Sequence, residues 1–113
     1  MEIKATMPET VKVWPRKMRV VKAPVPDRSS MGQIDLEKRL INVRPAEVEA
    51  EEAITFCHEV SHALLSTAGA SGEDNERLAE ALGPGLYALI GDNPDLCRYL
   101  QRVWREERER DGL

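Results

Sequence analysis

The sequence contains few cysteines, few aromatic residues and no long apolar run. Its 113 residues include only two cysteines, Cys57 and Cys97, which form no C-x-x-C pair and no disulfide framework. No segment approaches the ~20 apolar residues that a membrane-spanning helix needs. Residues 1–10 are polar and lack the apolar core of an export signal. We therefore expect a cytoplasmic protein with reduced thiols and no membrane partner.

An excess of positive charge is also absent. The 16 basic residues are outnumbered by 20 acidic ones, which gives a formal net charge of −4. Because proteins that bind phosphate backbones carry basic surfaces, we expect no direct nucleic-acid binding. A local group of basic side chains is the exception: Lys12, Arg16, Lys17, Arg19 and Lys22. The length and composition predict one globular domain over residues 1–113, with flexible ends at 1–10 and 108–113.

Alternating apolar residues in the first part of the chain predict a small antiparallel sheet. The segment 11–21 predicts one edge strand or a short hairpin, because Pro15 excludes a central ladder position. Segment 22–30 is rich in proline and serine and predicts a loop. Segment 31–43 has two short alternating runs around Glu-Lys-Arg, which predict a second hairpin.

A first helix is predicted over residues 45–68. Pro45 suits a first helical turn, and Gly69 suits the stop after the last one. Five residues at helical spacing form its expected inner face: Ala50, Ile54, Cys57, Ser61 and Leu64. The overall expectation is an α+β fold, in which a small antiparallel sheet packs on two to three helices and this helix lies between the sheet and the second helix.

Two further helices are predicted after residue 70. Ser71 and Asp74 resemble a capping box, and Pro84 should kink or split the second helix before it ends near residue 90. Pro94 should start the third helix. The expected inner faces are Leu78, Leu82, Leu86 and Leu89 in the second helix and Leu96, Leu100 and Val103 in the third.

The only two histidines of the chain lie four residues apart in the pattern H-E-x-x-H. Residues at this spacing share one face of a helix, so the imidazoles of His58 and His62 can bind one zinc ion. Glu59 lies about 100° further round the helix, where its carboxylate can accept a proton from water that zinc acidifies. The competing interpretation is that both histidines are surface residues paired with nearby acids. Random placement gives the pattern in about 0.2% of cases, which favours the metal site.

A catalytic zinc needs a third protein ligand and an open coordination position. The chain has no further histidine, so this ligand must be a carboxylate or a thiolate. We expect Glu76, one turn into the second helix, with Glu80, one turn further on the same face, as the alternative. The acidic residues that this helix offers are Glu73, Asp74, Glu76 and Glu80.

Several other residues have less specific roles in the sequence. Cys57 adjoins His58 but points elsewhere on the helix, so we expect it to pack, and we expect Cys97 to lie in the core. The oxyanion of the transition state needs a donor besides zinc. Tyr87, Tyr99 and several arginines are candidates, and their spacing selects none of them.

Three elements in order resemble the small phage and prophage metallopeptidases of the ImmA/IrrE type. They are the hairpin MGQIDLEKRLINVRP, the helix AITFCHEVSHALL and the helix NERLAEALGPGLYALIGDNP, which together span about residues 31–95. The resemblance implies zinc held by His58, His62 and Glu76, with Glu59 as catalytic base. It also implies a minimal, gluzincin-like peptidase fold. Family members of known role cleave a DNA-binding repressor.

The expected function is therefore zinc-dependent hydrolysis of a peptide bond in a protein substrate, such as a phage or host regulatory protein. An extended substrate would pair with the sheet edge that residues 32–43 provide. Two alternatives stay open. One is a regulatory or binding protein that contains zinc without proteolytic activity, and the other is a minimal SprT-like peptidase that acts on DNA-bound proteins. The second would need a basic surface, which the net charge does not favour.

Overall fold

The computed structural model describes residues 4–25 and 30–112. The predictions for residues 1–3, 26–29 and 113, which concern the chain ends and one loop, lie outside the described residues. Four strands precede three helices, so the predicted α+β class is confirmed. The strands are β1 (Thr10–Val13), β2 (Arg16–Lys22), β3 (Gly32–Asp35) and β4 (Leu40–Val43), and the helices are α1 (Glu49–Thr67), α2 (Gly72–Asp92) and α3 (Pro94–Arg110).

The sheet consists of two antiparallel hairpins joined side by side. Its strand order is β1-β2-β4-β3, and β2 and β4 are parallel, with Arg19 opposite Leu40 and Lys22 opposite Val43. The sheet is therefore mixed, which corrects the expectation of a purely antiparallel sheet. Local alternation reveals each hairpin but carries no information on how two hairpins meet. This arrangement leaves β3 at an edge, next to α1.

One face of the sheet forms the hydrophobic core. Met18, Ile41 and Val43 are completely buried there, and alternation places Val20 on the same side as Met18. Burying a side chain of this size stabilises the fold by roughly 1.5–3 kcal/mol. The opposite face carries exposed residues of the basic group, including Lys12, which pairs directly with Lys17 across the hairpin. The core therefore lies between this sheet and α1.

Helix α1 begins four residues later than predicted, at Glu49. The cause is Glu52, whose carboxylate accepts a hydrogen bond from the Ala46 N–H at 2.9 Å and lies 3.2 Å from Lys22 Nζ. These contacts hold the preceding segment outside the helix, so Pro45 is not in the first turn. The helix ends as predicted before Gly69, which has a φ of 95° that favours glycine.

The buried face of α1 is largely polar and differs from the predicted one. Among the expected positions Ser61 is buried, whereas Ala50 and Leu64 are exposed. The residues that do face inward are Glu52, Thr55, Glu59, Ser61 and Ala63. The spacing of apolar residues predicted the wrong face because the buried side of α1 carries charged and polar side chains. Among them, Glu52 binds the segment before the helix and Glu59 lies in the cleft.

Helix α2 runs without a break through Pro84, so the expected split does not occur. Ser71 is the N-cap as predicted, but its side chain makes no capping hydrogen bond, so the capping box is absent. The buried residues of α2 are the small ones, Ala79 and Gly83. Of the four leucines expected inside, Leu78 and Leu89 are exposed and Leu82 and Leu86 are half-buried. Small residues are buried because α2 lies close against α1.

Helix α3 packs only against α2 among the described elements, and none of its residues is buried. Leu96, Leu100 and Val103 are exposed, which corrects the prediction that they point inward. Helix α1 packs on the sheet and α2 packs on α1, so α3 contacts α2 alone among the described elements. The radius of gyration of 15.1 Å exceeds the about 13 Å of a compact chain of this length, as expected for a projecting helix. Within the described ranges, no helix combines the length and apolar character needed to cross a bilayer.

Candidate metal centre and cleft

Three potential metal ligands converge from two helices. Helix α1 presents His58 and His62 one turn apart, and the second turn of α2 brings Glu76 against them. The two Nε2 atoms are 3.1 Å apart, Glu76 Oε2 lies 3.1 Å from His62 Nε2, and Glu76 Oε1 lies 3.7 Å from His58 Nε2. Together they form the only group of three such residues within a metal-binding distance in the part of the chain that the structure describes.

This geometry fits a zinc ion. Two ligand atoms bound tetrahedrally at about 2.0–2.1 Å from zinc lie about 3.3 Å from each other. The observed separations of 3.1–3.7 Å bracket that value. Two imidazoles and one carboxylate are also the donor set of several catalytic zinc sites with one open position. The side chain of Glu76 is 58% exposed, so the site opens toward solvent.

Small residues of α2 allow the close approach of the two helices at His58. A Cβ atom added at Gly83 would lie 2.7 Å from the Cα atom of His58, a distance that no real contact adopts. Ala79 is completely buried one turn earlier, and its backbone forms a hydrogen bond with His58. A larger side chain at either position would move α2, and with it Glu76, away from the histidines.

The pKa of His58 is lowered, first by burial and then by the neighbouring His62. The carboxylates of Glu76 and Glu80 and the hydrogen bond with the Ala79 backbone oppose this shift. A lowered pKa keeps the imidazole neutral at neutral pH. The neutral form has the lone pair that metal coordination requires.

The ring of His62 is fixed by Asn75. Its Nδ1 lies 2.5 Å from Asn75 Oδ1, and Asn75 Nδ2 donates to the backbone carbonyls of His62 at 3.3 Å and Ala70 at 3.1 Å. These contacts connect α1, the turn that follows it and α2. The other ring nitrogen, Nε2, therefore faces His58 and Glu76.

Glu59 is 4% exposed and lies at the floor of the cleft beside the histidines. Burial raises its pKa to about 7, the nearby His62 lowers it, and Glu76 raises it. Gly32 of β3 lies against this carboxylate, because a Cβ atom there would be 3.0 Å from Glu59 Oε2. The position thus provides a carboxyl group that both binds and releases a proton near neutral pH.

The cleft above Glu59 has a volume of about 630 Å³. Its walls are α1, α2 and the edge strand β3, and its lining includes Gln33, Ile34 and Thr55. A second depression continues past the site along β3, and the two share Ile34, His62 and Glu76. A continuous groove therefore runs along β3, the edge strand of the described sheet, and over the three converging ligands.

The structure also shows where the other possible metal ligands and oxyanion donors lie. Glu80 lines the cleft but is not part of the three-residue group, so Glu76 is the carboxylate that meets the histidines. Cys57 is half-buried, burial raises the pKa of its thiol, and it faces a different cavity. Tyr87 lines that cavity too, and Tyr99 lies exposed on α3. Neither tyrosine lines the cleft.

Cys97 is half-buried on α3, where no residue is buried, so the prediction that it lies in the core is wrong. Three residues with clear roles at the site were not identified from the sequence: Gly32, Asn75 and Gly83. Asparagine directly before Glu76 was a usable signal, because an amide is a common partner of a metal-binding histidine. Comparison of the chain with protein-family models, with curated proteins and with solved structures gave no match.

Proposed function

We propose that this protein is a zinc-dependent peptidase in which His58, His62 and Glu76 hold the metal and Glu59 is the general base. One observation carries the proposal. The Nε2 atoms of His58 and His62 lie 3.1 Å apart, and each lies within 3.7 Å of one carboxylate oxygen of Glu76. A buried carboxyl group, Glu59, whose pKa burial raises to about 7, lies beside them in an open cleft. A purely structural zinc site would have four protein ligands and would not need this acid.

Zinc bound at such a site supplies Lewis acidity, which brings the pKa of a water molecule near 7 and polarises the substrate carbonyl. Glu59 accepts a proton from the attacking water as the water oxygen bonds to the carbonyl carbon. When the C–N bond breaks, Glu59 returns that proton to the leaving amine nitrogen. Both proton transfers use the same carboxyl group, which is buried in the cleft beside the two histidines.

The groove beside β3 supports an extended peptide as substrate. An edge strand presents unpaired backbone N–H and C=O groups, with which a second strand pairs. A peptide paired with β3 would pass over His62 and Glu76, because the groove follows the strand past both residues. The resemblance to ImmA/IrrE peptidases favours a phage or host regulatory protein as the substrate.

Metal content tests the ligand assignment. Purified wild-type protein should contain about one zinc ion per chain by mass spectrometry, and His62→Ala should contain far less. Glu76→Gln should lose zinc, whereas the matched change Glu80→Gln should keep it, since Glu80 is outside the ligand group. Loss of zinc from Glu80→Gln with retention in Glu76→Gln would reverse the assignment.

The variant Glu59→Gln separates an enzyme from a zinc-containing binding protein. It preserves shape and leaves all three ligands in place, so zinc content should match wild type. Cleavage of a co-expressed substrate should fall about a hundredfold or more, because that is the usual contribution of general base catalysis. If wild type cleaves nothing in a proteome-wide screen and biological activity survives Glu59→Gln, the binding-protein function replaces this proposal.

A further inference from the structure

We propose that Asn75 is a positioning residue that holds the neutral imidazole of His62 in one tautomer, with its proton on Nδ1. Its consequence for zinc rests on the proposed function, since Nε2 then offers a lone pair to the metal. The tautomer itself follows from contacts within this chain alone.

The orientation of the Asn75 amide is determined by its surroundings. One end of the amide lies 3.3 Å from the His62 carbonyl and 3.1 Å from the Ala70 carbonyl. Carbonyl oxygens only accept hydrogen bonds, so this end must be the NH₂ group. A flipped amide would place its oxygen against two other oxygens and lose both hydrogen bonds. The atom that faces His62 is therefore Oδ1.

This orientation determines the tautomer of His62. An amide oxygen has no proton to donate, and it lies 2.5 Å from Nδ1, so the imidazole must donate. A neutral imidazole has one proton, and Nε2 is then unprotonated. The opposite tautomer would place the Nδ1 lone pair against Oδ1 and turn an N–H group toward the atoms that would hold a metal.

The unprotonated Nε2 faces one other ring nitrogen and one carboxylate oxygen. It is 3.1 Å from His58 Nε2 and 3.1 Å from Glu76 Oε2. Without a shared proton, two lone pairs at this distance repel each other, and a cation between them removes the repulsion. Asn75 thus prepares the site for a cation before any cation is bound. It directly precedes Glu76, so one turn of α2 carries both a ligand and the group that orients another ligand.

The decisive test measures the tautomer in the metal-free protein. Long-range ¹H–¹⁵N spectra of protein with ¹⁵N-labelled histidine report which ring nitrogen carries the proton. Wild type should show His62 protonated on Nδ1 in its neutral form. Asn75→Leu should populate the Nε2–H tautomer, because it leaves Nδ1 without the amide acceptor. Asp74→Asn, on the exposed side of the same turn, is the matched control.

Zinc affinity, measured by competition with a chelator, gives the second readout. Asn75→Leu should weaken binding by about 10–100-fold, the usual effect of losing the partner of a metal-binding histidine, and the control should bind like wild type. A wild-type His62 protonated on Nε2, or an unchanged tautomer and affinity in Asn75→Leu, would overturn the inference. If wild type does not bind zinc, the proposed function fails, and the tautomer of the wild-type protein still decides the role of Asn75. Should Asn75→Leu not fold, the wild-type spectrum alone decides, because a proton on Nε2 of the neutral His62 ring overturns the inference.

Discussion

Gly83 lies at the contact between α1 and α2, and its missing side chain lets α2 approach the backbone of His58. Gly83→Ala should destabilise the fold by about 1–3 kcal/mol, the usual cost of overpacking, and should also weaken zinc binding because Glu76 moves with α2. Gly85→Ala is the matched control, since nothing lies within 4 Å of its added Cβ atom. That change should stabilise the helix by about 0.5–1 kcal/mol. Urea unfolding and a zinc competition titration measure both effects, and equal behaviour of the two variants would contradict this account.

Glu52 links the sheet to the start of α1 and should make stability depend on acid pH. Its pKa is lowered from 4.5, first by the hydrogen bond from the Ala46 N–H and then by Lys22. A lowered pKa in the folded state means that the unfolded chain takes up the proton first as the pH falls. The stabilisation is therefore complete above about pH 4.5 and is lost as the pH falls through the folded-state value.

The variant Glu52→Gln cannot titrate, so it should be less stable than wild type at pH 7, and the difference should shrink below about pH 4.5. Urea unfolding at pH 7, 5, 4 and 3 measures it. Glu51→Gln, on the exposed side of the helix, serves as the control. A difference between Glu52→Gln and wild type that stays constant down to pH 3 would show that the charge of Glu52 has no role.

Sequence patterns identified the residues of the site that are close along the chain, and they left open those that meet through the fold. His58, Glu59 and His62 lie within one helical turn, so their spacing alone predicts their common location. The sequence favoured Glu76 and left Glu80 as the alternative, because the packing of α2 on α1 decides which of them faces the histidines. Asn75 was not identified, since its partners include an atom of a different helix and a backbone carbonyl in the turn.

At the scale of elements, the sequence predicted all three helices and the hairpin of residues 31–43, and it left open whether residues 11–21 form one strand or a hairpin. It did not show which helix faces are buried. The inner face of α1 carries Glu52 and Glu59, and a face with buried charged residues does not produce an apolar stripe in the sequence. For α3, the apolar side was predicted to be buried but is exposed, and the cause is the opposite one. Its apolar stripe is real, but α2 already covers α1, and α3 has only α2 as a neighbour. Apolar spacing shows that a helix has an apolar side, and only the packing shows what that side contacts.

Two truncations should therefore differ strongly in their effect on stability. Ile41 is completely buried, and Ile41→Ala should cost about 2–5 kcal/mol. Leu100 on α3 is 55% exposed, and Leu100→Ala should cost less than about 1 kcal/mol. Urea unfolding at low protein concentration measures both values. A cost for Leu100→Ala similar to that for Ile41→Ala would mean that α3 packs against another surface in solution.

At the scale of the molecule, the proposed zinc site connects two helices, α1 and α2, that also meet through small side chains and the hydrogen bonds of Asn75. A ligand that binds only the folded state stabilises it by about 2.7 kcal/mol when its free concentration is a hundred times its dissociation constant. Removal of zinc by a chelator should therefore lower the melting temperature by roughly 10 °C for a domain of this size. Glu76→Gln should melt at the same temperature with and without chelator. An unchanged wild-type transition after verified metal removal would exclude a zinc site that stabilises the fold.

The parallel contact between β2 and β4 also has a consequence for the order in which the protein folds. Each hairpin closes through a short turn, so its contacts are local along the chain. The contact between them joins Arg19 to Leu40, residues that are distant along the chain, so it forms after both hairpins. All four strands precede α1 in the sequence. During synthesis from the N-terminus, the sheet can therefore close before His58, His62 and Glu76 leave the ribosome, and the cleft assembles on a finished scaffold.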